Sequence, residues 1–377
     1  MKRFFCLLMV LLALSGCSQA SPDSSTDTQP DAEPVIITEP VFNPDTIIDT
    51  MTTEQLVGQL FLARCPSNES ALTDIAQYHL GGYVLFGRDI TGQTPASLSA
   101  TIHSYQAESK IPLLIAVDEE GGDVVRISNQ TAFREQRFPS PRNLYQQGGI
   151  QLLCNTEKEK CLLLSSAGIN VNLAPVCDIT TDPNAFMYSR SLGLSPEETG
   201  NCIAAMVAVM NQNHIGSVLK HFPGYGNNVD THIGIAVDNR TLEELQTADL
   251  VPFSYGIDAG CGGIMVSHTI VSCLDDQFPA SLSPAVIAFM RNQLDFHGVI
   301  ITDDLQMGAI TQQYGAGEAA VLAVLAGNDM LASSEYREQY AAVLEAVNTG
   351  RITKQQLHSA VTRVLQWKYD LDLLAME

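Results

Sequence analysis

Apolar runs recur along most of the chain, separated by stretches with helical spacing. Eight stand out: GQLFLAR at 58–64, GGYVLFG at 81–87, PLLIAVD at 112–118, INVNLAPV at 169–176, GSVLKHF at 216–222, GGIMVSH at 262–268, GVIITDD at 298–304 and NDMLAS at 328–333. They are apolar throughout rather than alternating, as parallel strands covered on both faces are. Between them lie helical stretches such as SPEETGNCIAAMVAVMNQN and SPAVIAFMRNQLDF. Each opens with Ser-Pro: a side-chain N-cap, then a residue whose fixed φ suits the first helical turn. Eight strand–helix units in series predict one α/β domain, a single (β/α)8 TIM-type barrel. A doubly wound open sheet is the alternative arrangement of the same elements.

In a barrel, the chemistry gathers at the C-terminal strand ends and the loops that follow them. Those ends read, in order, Arg64, Asp118, Asp178, Lys220-His221, His268 and Asp303-Asp304. The stretch KHFPGYGNNVDTHIG, 220–234, is then a strand end plus a long loop whose glycines let the backbone fold over the barrel mouth.

Composition adds limits. The 377 residues are 45% hydrophobic and 16% charged, enough for a large core, and the formal net charge of −22 argues against nucleic acid as a partner. Residues 1–17 have Lys2 and Arg3 before an apolar run of secretory length and end in Leu-Ser-Gly-Cys, which resembles a bacterial lipoprotein box with Cys17 as the lipidated residue. Residues 18–45 are dominated by Ser, Thr, Pro and acidic residues with no Lys or Arg, which reads as a disordered tether. The barrel is expected over 46–377. An exported protein held at the extracytoplasmic face of the cell membrane by a lipid anchor is the localisation this implies.

Nine cysteines include no CxxC pair, which argues against a zinc or redox motif. Cys154 and Cys161 are close enough to pair in an oxidising compartment; buried free thiols are the other reading.

Side chains alternate along a strand, so only one of Asp303 and Asp304 can point into the mouth, leaving the other for structural hydrogen bonds. The inward carboxylate could act as a nucleophile, a metal ligand or an ion-pair partner. In Asp230-Thr231-His232, a histidine that titrates near neutral pH can give and take a proton, with the aspartate orienting its ring; a structural Asp–His bond is the plain alternative. His221, His232 and His268 map to the same rim, but their spacings fit no standard metal motif.

KHFPGYG followed by DTH, together with ITDDLQM, resembles glycoside hydrolase family 3, in particular its bacterial single-domain β-N-acetylglucosaminidase branch. The resemblance runs from about Asp49 to Leu374 and includes IAVDEEGGDVVRI, NLAPVCDI, SRSLGLSP and AGNDMLAS. It implies that Asp303 is the nucleophile and that His232, partnered by Asp230, is the acid/base. It further implies that Asp118, Arg190, Lys220 and His221 hold the sugar before the scissile bond, with Arg64 beside them. Elsewhere in the family a second domain supplies a carboxylate acid; here the chain ends soon after the eighth unit and the Asp-x-His loop would take that role. Two positions depart from the family pattern: Tyr225 stands for the second histidine of KHFPGHG, and Asp123 stands where a basic residue is usual.

The resemblance implies a retaining hydrolase that removes terminal β-linked N-acetylglucosamine, from peptidoglycan fragments in an anchored envelope enzyme, with no cofactor. Alternatives are a phosphorylase passing the sugar to phosphate, a β-glucosidase of the same family, and a non-catalytic glycan-binding lipoprotein. A transport lipoprotein would show two lobes rather than eight units in one series.

Overall fold

The computed structural model describes residues 42–226 and 236–375. The signal segment with Cys17 and most of the tether lie outside the described residues. Eight parallel strands close into a barrel: β1 (Phe61–Arg64), β2 (Gly82–Leu85), β3 (Leu114–Val117), β4 (Val171–Asn172), β5 (Gly216–Phe222), β6 (Gly263–Val266), β7 (Val299–Thr302) and β8 (Met330–Ser333). Each falls inside one of the eight apolar runs, and each pairs with its sequence neighbours. β1 closes on β8 through Phe61 opposite Leu331. Closure rules out the doubly wound sheet. A two-stranded parallel pair, Val237–Asp238 with Ile270–Val271, lies outside the barrel and was not expected from the pattern.

The predicted caps form. Ser195 accepts from the backbone N–H of Glu198, whose carboxylate reaches back to Ser195, at the start of helix Pro196–Gln212. Ser283 accepts from Val286 at the start of Pro284–Asn292. All seven cysteines among the described residues are free thiols, Cys154 and Cys161 included.

Strand alternation sorts the core. Leu62, Val84, Leu114, Ala116, Val171, Leu173, Val218, Met265, Val299, Ile301, Met330 and Ala332 fill the barrel interior, while Phe61, Tyr83, Ile115, Leu219 and Ile300 face the helices. Trp367, from the last helix (Lys354–Asp370), joins the interior cluster and packs against Gly216, Gly262 and Gly263 at the strand starts. The barrel is therefore a packed core closed below and open above.

Candidate active site

The two-residue period of the strands places the site. Leu62, Ala116, Val218 and Ile301 point inward, so two residues later Arg64, Asp118, Lys220 and Asp303 do too. They line a cavity of about 670 Å³ at the C-terminal mouth, whose floor is the top of the core: Leu62, Val84, Leu173, Met265 and Ala332. Arg190 and His221 also line it. All six of the candidate residues that fall in the described chain thus share one cavity. Asp230 and His232 lie outside the described residues.

His221 breaks the alternation. It follows the inward Lys220 yet also faces the cavity, and the β5–β6 register shifts between Leu219 and Phe222. Gly224 follows at φ +116, where a Cβ would sit 2.4 Å from Asp249 Oδ1, so only glycine fits this turn. Arg240 ties the region down, donating to Gly224 O at 3.3 Å and to Asp249 at 2.5 Å.

The charged groups form one network. Lys220 Nζ donates to Asp118 Oδ1 and to Glu120 Oε1, both at 2.7 Å. Arg190 grips Glu120 with a two-pronged contact at 2.9 and 2.7 Å, and its Nη2 lies 3.2 Å from His221 Nε2. The other ring nitrogen, Nδ1, lies 2.8 Å from Asp178 Oδ2. Arg126 donates to Asp118 Oδ2 at 3.2 Å. The Arg64 guanidinium lies over the Phe86 ring, 4.5 Å from its centre, with Arg126 at 5.8 Å.

Charge pairing outweighs burial at Glu120, Asp178 and Lys220. Burial opposes ionisation of Glu120, but Lys220 and Arg190 hold its carboxyl well below the usual range. Burial likewise opposes the Asp178 carboxylate, and His221 with the Tyr225 backbone N–H holds it ionised. The Lys220 ammonium resists desolvation because Asp118 and Glu120 face it, so it stays charged.

Of the Asp303-Asp304 pair, Asp304 is structural. Its carboxylate accepts from the Gln306 N–H at 3.0 Å, the Ser334 N–H at 3.2 Å and the Ser334 hydroxyl, which ties the ends of β7 and β8 together. Asp303 accepts from the Asp304 N–H at 2.8 Å; both residues border the cavity, contrary to the expectation that only one would, but the Asp304 carboxylate is taken up by the bonds to Gln306 and Ser334. His268 is a correction: it is fully buried beneath the rim, with Nδ1 2.7 Å from Ser281 Oγ and Nε2 3.0 Å from Asp304 O. Both ring nitrogens are engaged, Nε2 at the end of β7 and Nδ1 on the Ala280–Leu282 turn.

Glu120, Arg126 and Phe86 were missed as site residues. Glu120 and Phe86 sit two positions beyond inward-facing Asp118 and Val84, so the alternation that found Asp118 would have flagged both. Arg126 returns from the loop after β3, which no strand period reaches. Asp123, one of the two departures, makes an exposed ion pair with Arg137 at 3.6 Å and does not line the cavity.

Residues 52–367 match the family described as "Glycosyl hydrolase family 3 N terminal domain". Beta-hexosaminidase A of Pseudoalteromonas piscicida is 29% identical over 85% of this chain, which spans 62% of that protein. A beta-hexosaminidase of Nitrosomonas eutropha is 32% identical over 74% of this chain and 84% of its own length. Among solved structures, a glycoside hydrolase family 3 beta-N-acetylglucosaminidase from Paenibacillus superposes with a TM-score of 0.80 at 30% identity, over 87% of this chain and 64% of that one. With the barrel closed and the match spanning it nearly end to end, the chain belongs to glycosyl hydrolase family 3.

Proposed function

We propose that this family 3 glycoside hydrolase is a retaining exo-acting β-N-acetylglucosaminidase. The observation that carries the reading is the cavity itself: Asp303 shares a blind pocket with Arg190, Lys220, His221, Asp118 and Arg64. A floor closed by core side chains admits a chain end rather than a chain middle, which supports exo action. Four paired charged or polar groups opposite one carboxylate suit a sugar ring with several hydroxyls and an amide.

The reaction is a double displacement. The Asp303 carboxylate attacks the anomeric carbon as the glycosidic C–O bond breaks, and His232, charged and partnered by Asp230, protonates the departing oxygen. Neutral His232 then takes a proton from water, whose oxygen attacks the same carbon and releases Asp303. Lys220, Arg190, His221 and Asp118 hold the sugar through both steps. The substrate is terminal β-linked N-acetylglucosamine on peptidoglycan fragments, and the enzyme is exported and anchored through lipid on Cys17, with the following segment as tether up to Phe42, which stacks on Tyr369 ahead of the helix Asp45–Ile48. The relatives named beta-hexosaminidase support the substrate class; the Leu-Ser-Gly-Cys segment supports the anchor.

The test is nitrophenol release from 4-nitrophenyl N-acetyl-β-glucosaminide in phosphate-free buffer, beside Asp303→Ala. Turnover lost by roughly a thousandfold or more in the variant supports the reading. Turnover only when phosphate is added would replace hydrolysis by phosphorolysis; glycan binding with no turnover in either protein would sink catalysis. Incorporation of labelled fatty acid, abolished by Cys17→Ser, tests the anchor.

A further inference from the structure

Behind the cavity wall lies a chain of buried ion pairs that the reaction does not consume. Glu120 is 2% exposed and is not among the side chains lining the cavity. Its Oε1 accepts from Lys220 Nζ and from Arg190 Nη2, each at 2.7 Å, and its Oε2 accepts from Arg190 Nε at 2.9 Å. Its backbone carbonyl accepts from Lys160 Nζ at 2.9 Å. Lys160 is paired in turn with Glu157 at 3.0 Å, one turn away on the long helix Pro141–Ser166, and both are 1% exposed. A buried pair of this kind is weak support for stability, because an apolar pair of like volume does as well or better.

We propose that Glu120 is the positioning residue for Lys220 and Arg190, and that the Lys160–Glu157 pair fixes Glu120. The Arg190 fork sets the plane of the guanidinium against the carboxylate. The remaining contact sets the Lys220 ammonium, which Asp118 holds from the other side. Arg190 passes the constraint to His221 at 3.2 Å. One hidden carboxylate therefore orients three of the groups that face the sugar, and it keeps two neighbouring cations from repelling each other apart. The inference rests on the proposed function, in which Lys220 and Arg190 hold the terminal sugar.

Two variants test it. Glu120→Gln keeps the shape and removes the charge. The double variant Glu157→Leu with Lys160→Met removes the anchor and leaves Glu120 in place. Both are measured for kcat and KM on the nitrophenyl substrate, for N-acetylglucosamine affinity by calorimetry and for Tm. Glu120→Gln is expected to raise KM and the N-acetylglucosamine Kd at least about tenfold, with a smaller fall in kcat. The double variant is expected to shift both in the same direction by roughly threefold or more, with a modest fall in Tm from the Glu120 carbonyl that loses Lys160. Wild-type KM and Kd in either folded variant would overturn the proposal. Should Glu120→Gln fail to fold, the double variant decides alone. A wild-type protein that neither turns over the substrate nor binds the sugar would instead count against the proposed function.

Discussion

The backbone N–H of Tyr225 donates to Oδ1 of Asp178 at 2.7 Å, while Oδ2 of the same carboxylate accepts from the His221 N–H at 3.0 Å and lies 2.8 Å from its ring Nδ1. The departure from the family pattern at 225 thus leaves the main-chain contact intact. The Tyr225 ring packs edge-on against His221, with centres 5.2 Å apart, and is buried. Tyr225→His is expected to keep kcat/KM within roughly tenfold. Tyr225→Ala would open a cavity beside His221 and cost about 3 kcal/mol or more. Steady-state kinetics and urea unfolding of the two variants check this.

Asp303 and Asp304 are adjacent but do different work. Removing the Asp304 carboxylate strands the Ser334 and Gln306 donors, so Asp304→Ala is expected to cost about 1–3 kcal/mol and lower Tm. Asp303→Asn should leave Tm close to wild type while turnover collapses. Calorimetry and kinetics on both variants would expose a reversed assignment.

Lys368 gives the protein a pH dependence far from the site. It is fully buried on the last helix, its ammonium donates to the neutral Gln59 Oε1 at 2.7 Å, and burial pushes its pKa from 10.5 down to about 7. Between these values the unfolded chain binds a proton that the folded one does not. This contribution to stability therefore rises with pH, by about 1.4 kcal/mol per pH unit, from pH 7 toward 10.5, and is flat below pH 7. Lys368→Met removes the slope, so its advantage over wild type should shrink as pH rises. Urea midpoints at pH 7.5, 8.5 and 9.5 measure it; parallel curves for the two proteins would refute the account.

The floor of the barrel has no room for a methyl group at Gly262. A Cβ there would lie 1.9 Å from Trp367 Nε1, and the indole is buried. Gly262→Ala is expected to destabilise by about 1–3 kcal/mol through overpacking. Gly87→Ala, inside the short helix Gly87–Ile90 where a Cβ meets nothing within 4 Å, should be neutral or stabilise by up to about 1 kcal/mol. Thermal unfolding of the pair checks the contrast.

Much of this protein is determined by the sequence alone. Eight unbroken apolar runs have nowhere to go but a sheet covered on both faces, and Ser-Pro starts set the helices between them. The inward parity of Leu62, Ala116, Val218 and Ile301 already implies that Arg64, Asp118, Lys220 and Asp303 meet at the mouth, because a period of two is a property of any strand. His221 is read from its place at a strand end, whereas Arg190 is implied only by the family resemblance of SRSLGLSP. What only the tertiary structure decided are relationships across long separations. The strand period already aims Glu120 the same way as Asp118, but that its partners are Arg190 and Lys220 follows only from β3, β5 and the loop after β4 converging. His268 stood in the list of strand ends, yet the fold turns it under the rim to Ser281 and Asp304. Arg126 reaches the pocket from a loop whose path is set by the Glu119 carboxylate, which accepts the N–H groups of Arg126, Ile127 and Ser128. Strand geometry is local and therefore legible; loop paths and the pairing of buried charges depend on which distant backbone supplies the partner, and that is settled only when the barrel closes.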